Sequence, residues 1–276
     1  ALGSIIAIAA VGLTLTFGIL RLPNFAHGDL LTFGAYASWL LNDAAGLNVW
    51  VAAIGGAIAT VAVMLLAEGL LWKPLRQARA QPTTMTITSI GLALFIRGGI
   101  LLVWGGSNQR FDLPVRPALE FFGVRVAFNS LVVTGLTLVA LVALYLLLQY
   151  SKIGKAMRAV ADNLDLARVT GINVENIVLW TWAIAGILVA IGGTTYGLIG
   201  AVRPNMGWFL ILPMFAAVIL GGIGNPYGAI AGAYTIGIVQ ELSVPLLGSQ
   251  YKLAVALFIM VAILLLRPQG LFRGTL

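Results

Sequence analysis

Residues 129–176 read NSLVVTGLTLVALVALYLLLQYSKIGKAMRAVADNLDLARVTGINVEN, an apolar run that turns abruptly polar and basic at Ser151. Residues 129–150 have the length and apolarity of a membrane-spanning helix, which needs about 20 such residues. Residues 151–176 are water-soluble in character, yet another apolar segment follows them. A polar helical stretch between two membrane spans most commonly docks onto a cytosolic partner.

Composition extends this reading to the whole chain. Hydrophobic residues make up 60% of the 276 residues and charged residues only 9%, whereas soluble domains have about 45–50% and 25%. A bilayer solvates that much apolar surface, provided that helices pair every backbone polar group. Cysteine is absent, which excludes disulfides and thiolate chemistry, and no cluster of residues suggests a metal site. The net charge of +7 is expected to mark cytosolic loops and not a nucleic-acid partner.

The predicted fold is therefore an all-α, polytopic transmembrane helical bundle with about eight or nine membrane segments. The second and seventh segments are short enough to be tilted, re-entrant or half-helices. The candidate segments are residues 1–20, 28–43, 49–72, 84–105, 129–150, 177–200, 208–222, 227–247 and 251–266.

Charge predicts the orientation. If the 151–176 loop is cytosolic, alternation places ten Lys and Arg residues on the cytosolic side and five on the outer side. This excess predicts a cytosolic C-terminus. The cytosolic set is Arg21, Lys73, Arg76, Arg79, Lys152, Lys155, Arg158, Arg168, Arg267 and Arg273, and the outer set is Arg110, Arg116, Arg125, Arg203 and Lys252. The loop at about 106–128 carries prolines and both charge signs, and we expect a structured outer loop with a short hairpin.

The polar loop has helical periodicity. Apolar residues recur at Ile153, Ala156, Met157, Val160 and Ala161, with charged residues elsewhere on the surface. The pattern predicts two short helices with a turn near Asn163 and a stop at Gly171, since glycine tolerates the positive φ that ends many helices. Spacing alone is equally compatible with an ordinary solvated connector.

Four motifs give the chain a family resemblance. The pattern Ala161-x-Asn163-x-x-x-Ala167-x-x-x-Gly171-Ile172 resembles the coupling-loop signature of ABC-importer permeases, in particular the branched-chain amino-acid type, often called LivH-like. Three further segments are similar to that family and occur in the same order. They are Asn24-Phe25-Ala26-His27-Gly28, Ala217-Val218-Ile219-Leu220-Gly221-Gly222-Ile223-Gly224-Asn225-Pro226 and Arg267-Pro268-Gln269-Gly270-Leu271-Phe272.

The resemblance implies an architecture and an energy source. Residues 1–276 would form one permease domain of a bacterial inner-membrane importer, beside a second permease that is homologous or identical. Cytosolic ATPase subunits would grip the loop at about 151–176, and a periplasmic solute-binding protein would deliver the solute. The chain has no GxxxxGK[ST] loop, so no cofactor is expected on it, and ATP and magnesium would bind the partner ATPases. The implied ATPase-coupling residues are Ala161, Asp162, Asn163, Asp165, Ala167, Arg168, Gly171 and Ile172.

Ionisable residues at membrane depth favour functional roles. Pro23 and Asn24 are placed to begin and cap a helix, with His27 and Asp29 in its first turns at the cytosolic end of the second span. Arg97 lies deep in its span and must face protein or water. The candidates for a pathway or gate are Asn24, His27, Asp29, Arg97 and Glu241, with structural anchoring as the alternative for the 24–29 segment.

Two further sites are predicted near span ends. Glu68 lies close to Lys73 and is expected to interact with it or with the membrane interface. The run Gly221, Gly222, Gly224, Asn225 and Pro226 forbids a continuous helix and predicts a broken helix or hinge, or a simple loop. Asn24 and Asn225 each precede a Gly-Ala-Tyr triplet, which hints at a duplicated unit.

The sequence favours a non-enzymatic transport subunit for branched-chain or other neutral amino acids. A permease of the same type for urea or another small polar solute is the alternative within the family. A stand-alone secondary transporter or channel is the alternative of another class. It is disfavoured because no cluster of protonatable groups is expected in mid-membrane.

Overall fold

A computed structural model describes residues 1–113, 117–121, 124–267 and 269–272, and it is a bundle of α-helices. Arg116, Pro268 and Arg273, which enter the sequence predictions above, lie outside these residues. The helices of the described residues are α1 (Leu2–Leu20), α2 (Ala26–Asp43), α3 (Val49–Ala67), α4 (Lys73–Gln77), α5 (Pro82–Trp104), α6 (Phe128–Tyr150), α7 (Lys152–Asp162), α8 (Leu164–Val169), α9 (Val174–Ile199), α10 (Met206–Gly221), α11 (Pro226–Leu247) and α12 (Lys252–Leu266). A π-helical turn, Glu68–Trp72, joins α3 to α4, and a 3₁₀ turn, Ser249–Tyr251, precedes α12.

These helices confirm the predicted fold class. Seven helical segments of the described chain are long and apolar enough to cross a membrane. They are α1, the continuous segment Val49–Gln77, α5, α6, α9, α11 and the segment Ser249–Leu266. The remaining two predicted segments are α2 and the 16-residue α10, the same two that the sequence marks as short.

The loops gather at the two ends of the bundle as alternation predicts. At one end, Lys73 lies 3.5 Å from Glu175, and the Gly224 N–H donates to Thr14 Oγ1 at 3.0 Å near the end of α1. We call this the basic end, because Lys73, Arg76 and Arg168 of the predicted cytosolic set lie together there. At the opposite end, Gln109 and Val202 exchange backbone hydrogen bonds of 2.9 Å.

The described part of the 106–128 loop contains the expected strand pair. Strands β1 (Leu119–Phe121) and β2 (Val124–Val126) are antiparallel, with Leu119 opposite Val126 and Glu120 opposite Arg125. Apart from these strands, the only β pairing among the described residues is the Gln109–Val202 bridge.

Helices α1 and α9 lie at the centre of the bundle, since most of their residues are buried, whereas Ala256 is the one buried residue of α12. Small residues allow the helices around them to approach closely. A Cβ atom at Gly207 of α10 would overlap the backbone carbonyl of Gly28 in α2. The Gly207 N–H also donates to Thr32 Oγ1 at 3.0 Å.

Helix α2 begins inside the bundle and not at its edge. The Phe25 N–H donates to Ser89 Oγ at 3.1 Å, and Ser89 lies seven residues into α5, or about 10 Å at 1.5 Å per residue. Residues Leu22 and Asn24 are buried. The segment before α2 therefore enters the bundle as irregular chain, which protein contacts must satisfy at membrane depth.

Candidate functional site

The polar loop folds as two capped helices. Ser151 Oγ accepts from the Gly154 N–H at 2.9 Å and starts α7. Asn163 Oδ1 accepts from the Leu166 N–H at 3.0 Å and starts α8. Gly171 has φ +87° just beyond α8, and Asn173 caps α9. The predicted turn at Asn163 and stop at Gly171 are confirmed, because short polar side chains satisfy the free N–H groups of each helix start.

One face of helix α7 is buried against the bundle. Met157 and Val160 are each 2% exposed, and α7 packs against α6, α9 and α1. A Cβ at Gly154 would overlap the backbone of Leu147 and Leu148 in α6, so the first turn of α7 lies directly on that helix. The charged residues of α7 face outward. The apolar face of α7 is therefore buried against the helices beneath it.

Helix α8 exposes apolar side chains at the basic end. Only Ala167 is buried, whereas Leu166 is 60% and Val169 82% exposed. Of the predicted coupling residues, Asp162, Asn163, Asp165, Arg168 and Gly171 are exposed and Ala161 and Ile172 are half-buried. Leu166 and Val169 were not among the predicted site residues. They could have been found as apolar positions in a short helix too polar to belong to a span.

A buried carboxylate lies beneath this region. Glu68, 2% exposed, accepts from both terminal nitrogens of Arg76, one bond measuring 3.0 Å. It also accepts from Trp182 Nε1 at 2.7 Å, and the Trp72 and Trp182 rings stack 6.2 Å apart. The expected contact of Glu68 with Lys73 or the interface is wrong, because the π-helical turn of Glu68–Trp72 directs Glu68 inward and Lys73 pairs with Glu175.

Asp29 and Arg97 form a bidentate ion pair inside the bundle. Arg97 Nε and Nη2 each donate to an Asp29 oxygen at 2.9 Å. Asp29 is 1% exposed and the Arg97 side chain 18%. The Arg97 guanidinium also lies 4.7 Å from the ring centroid of Trp208, within cation–π range. Asp29 lies in the first turn of α2 as predicted, but deeper than the edge of the bundle, because α2 starts about 10 Å inside it.

The other candidate pathway residues lie apart from this pair. Asn24 Oδ1 accepts from the Ala26 N–H at 3.1 Å, but Phe25 holds the N-cap position, so α2 begins at Ala26 and not directly after Pro23 or Asn24. His27 Nε2 lies 2.9 Å from the Ala9 carbonyl oxygen. The Asn24 and His27 side chains are fully buried. Glu241 pairs with Lys252 at 2.7 Å near the opposite end. The structure therefore brings together only Asp29 and Arg97 of the five.

The 221–226 segment breaks the helix as predicted. Helix α10 ends at Gly221, and Gly222 and Gly224 take φ values of +105° and +87°. Asn225 Oδ1 then accepts from the N–H groups of Tyr227 and Gly228 at 3.0 and 3.1 Å, which caps α11. The described part of the C-terminal segment covers the break, since the Leu271 N–H donates to the Leu220 carbonyl at 2.9 Å. A hinge role for this segment stays a prediction.

Comparison with known proteins defines the family. A family model described as "Branched-chain amino acid transport system / permease component" matches residues 1–264. The chain belongs to this family. It is similar to the high-affinity branched-chain amino acid permease LivH of Escherichia coli, with 29% identity over 98% of the chain and 92% of the relative. The same identity and coverage hold for BraD of Pseudomonas aeruginosa. The xylose permease XylH of Escherichia coli is 28% identical over 87% of the chain and 68% of its own length.

Family membership and the apolar helices together establish a multi-pass membrane protein of the permease type. The LivH and BraD matches extend over nearly the whole chain, from the central helices to the loop that holds α7 and α8. The XylH match shows that the likeness extends to a protein named for a sugar. The scaffold by itself therefore does not fix the solute.

Proposed function

We propose that this chain is the membrane-spanning subunit of an ATP-driven ABC importer for branched-chain or other neutral amino acids. It acts in the cytoplasmic membrane with its C-terminus on the cytosolic side. Its partners are cytosolic ATPase subunits that bind ATP and magnesium, a second permease subunit, and a periplasmic binding protein that delivers the solute. The chain itself supplies the path and no catalytic group.

The observation that carries this proposal is the exposed apolar surface of α8. Leu166 and Val169 lie at the polar, basic end of the bundle, in a loop outside the spans. Lipid does not explain their exposure there, because charged residues surround them on α7 and α8. Exposed apolar side chains rimmed by charge are typical of a protein interface. A groove on an ATPase subunit fits this small helix.

In this proposal, the packing of α7 on the bundle lets an ATPase bound at α8 move the permease helices. The buried face of α7 lies on α6, α9 and α1, and α9 and α1 are the central helices. A ligand that converts one conformation almost fully into another must favour it by about 5.5 kcal/mol. A tightly packed α7 can transmit that free energy to the bundle. If α7 moved alone it would lose its buried contacts, so the central helices are expected to move with it.

Amino acids are the favoured solutes because of the LivH and BraD relatives. In this proposal the delivering protein selects the solute and the permease accepts it. Urea or another small polar solute is the alternative within the same scaffold.

The test places a charge on the exposed apolar surface. Leu166→Asp and Val169→Asp should lower ATPase co-purification and ATP-dependent amino-acid uptake about tenfold or more, because burying an unpaired carboxylate in an interface costs several kcal/mol. Ala78→Asp is the matched control, since Ala78 is exposed at the same end but outside α8. Normal ATPase binding and uptake by the Val169→Asp complex would overturn the proposal.

A further inference from the structure

A cleft opens between α5, α9 and α10 at the end opposite the basic end. Its volume is about 610 Å³, within the size range of about 300–1,000 Å³ for small-molecule sites. Its wall includes Arg97, Leu101, Tyr196, Ile199, Arg203 and Phe209. We call it the α5–α10 cleft. Charge patterning places it on the outer side of the membrane, where a delivered solute would enter.

The cleft carries one unbalanced positive charge. Asp29 neutralises Arg97 through the bidentate pair, and Asp29 lies behind it with 1% exposure. Arg203 is exposed, and no acidic side chain of the described residues forms an ion pair with it. None of the residues lining the cleft is acidic. An anionic group is therefore the favoured occupant beside Arg203, and a cationic group is disfavoured.

The rest of the wall suits an aliphatic side chain. Leu101 is 44%, Ile199 40% and Phe209 56% exposed, and all three line the same cavity as Arg203. Lipid chains are unfavourable occupants of this cleft. The partly exposed Arg97 guanidinium lies on its wall, and contact between a charged group and hydrocarbon is unfavourable. A hydrated solute with one charged and one apolar part can contact both the charged and the apolar side chains of the cleft.

We propose that the α5–α10 cleft is a solute site in which Arg203 binds the carboxylate of an aliphatic amino acid and the Leu101, Ile199 and Phe209 surface contacts its side chain. Arg203 is assigned to the carboxylate in place of Arg97, since Asp29 already neutralises the Arg97 charge through Nε and Nη2. This inference rests on the proposed function and narrows it, because neither urea nor a sugar has a carboxylate for Arg203.

The absence of cysteine makes thiol labelling a direct test. Phe209→Cys is introduced into the full chain in right-side-out membrane vesicles, and its rates with an anionic and a cationic membrane-impermeant methanethiosulfonate are compared. Leu102→Cys is the matched control, since Leu102 is 87% exposed but lies outside the cleft. The anionic reagent should modify Phe209→Cys about tenfold faster, because a cleft of one charge sign concentrates counter-ions. Adding Arg203→Gln should abolish this preference.

Solute protection completes the test. L-leucine should slow labelling of Phe209→Cys, whereas leucinol, which lacks the carboxylate, should not. The inference is overturned if Phe209→Cys labels no faster than Leu102→Cys, or labels only in inside-out vesicles. It is also overturned if the cationic reagent reacts faster, or if L-leucine and leucinol protect equally. If the cleft is unreactive while the Val169→Asp variant still uncouples uptake, this inference fails alone. If the cleft labels as expected and Val169→Asp transports normally, only the proposed function fails.

Discussion

Asp29 and Arg97 illustrate how a single contact can replace hydration inside a membrane. Each charge would be unfavourable without the other at membrane depth, because Asp29 is 1% and the Arg97 side chain only 18% exposed. Together they make two parallel N–H···O bonds, the geometry that makes Arg–carboxylate pairs strong and specific. Trp208 adds a cation–π contact to the same guanidinium. The pair therefore joins α2, α5 and α10 at one point.

The pair should behave as a unit when it is mutated. Arg97→Gln leaves the buried Asp29 carboxylate unpaired and should lower stability by about 3–5 kcal/mol, whereas replacing both partners is far milder. We therefore expect Asp29→Asn/Arg97→Gln to recover most of the thermal stability lost in Arg97→Gln, measured on the purified protein in detergent. Arg97→Lys is the control that keeps the charge but loses the bidentate geometry. A double variant no more stable than Arg97→Gln would contradict the pairing.

Sequence could identify these residues but not their partners. Asp29 and Arg97 stand out as charges in apolar segments, yet 68 positions separate them. They meet because α2 starts at the depth of Ser89, which is a tertiary fact. Glu68 follows the same rule, since its bond to Trp182 joins residues 114 positions apart. Local pattern predicts which residues need a partner, and packing decides which partner they find.

At the scale of the element, helix ends were the most predictable features. Asn163, Asn173 and Asn225 cap α8, α9 and α11 through their own side chains, and a cap depends only on the nearest residues. The exposure of Leu166 and Val169 was not predicted, because periodicity in a six-residue helix is too short to define a buried face. The docking role that we propose for α8 depends on both kinds of feature.

The end of α8 offers a test of this element. Gly171 has φ +87°, and its N–H donates to the Arg168 carbonyl at 3.1 Å. Gly171→Pro fixes φ near about −65° and removes that donor, so it should displace α8 and abolish ATP-dependent uptake while membrane insertion is retained. A deletion of residues 162–168 should act in the same way. Gly171→Asn is the control, since asparagine tolerates positive φ, and it should keep most activity. Normal uptake by Gly171→Pro would exclude α8 from coupling.

At the scale of the molecule, the two helix breaks are alike. A residue with positive φ follows α1 at Arg21 and α10 at Gly222. Asn24 and Asn225 then each accept from the N–H two residues later, at 3.1 and 3.0 Å. The Gly-Ala-Tyr triplets remain out of register, beginning ten and seven residues after the asparagines. The similar asparagine contacts favour a duplicated unit, although α11 begins directly after Asn225 and α2 begins two residues after Asn24.

The last prediction follows from the proposed dependence of the whole bundle on partner ATPases. The sequence contains no phosphate-binding loop. The surface that we propose for binding an ATPase subunit is α8. Without an ATPase to bias the conformations, a solute that favours neither state shifts nothing. The lone chain in sealed proteoliposomes should therefore show no L-leucine flux above protein-free vesicles, with or without a proton or sodium gradient. Adding the ATPase partners, the binding protein and internal ATP should start uptake, and Val169→Asp in the same vesicles should prevent it. Gradient-driven flux through the lone chain would instead identify a secondary transporter or channel.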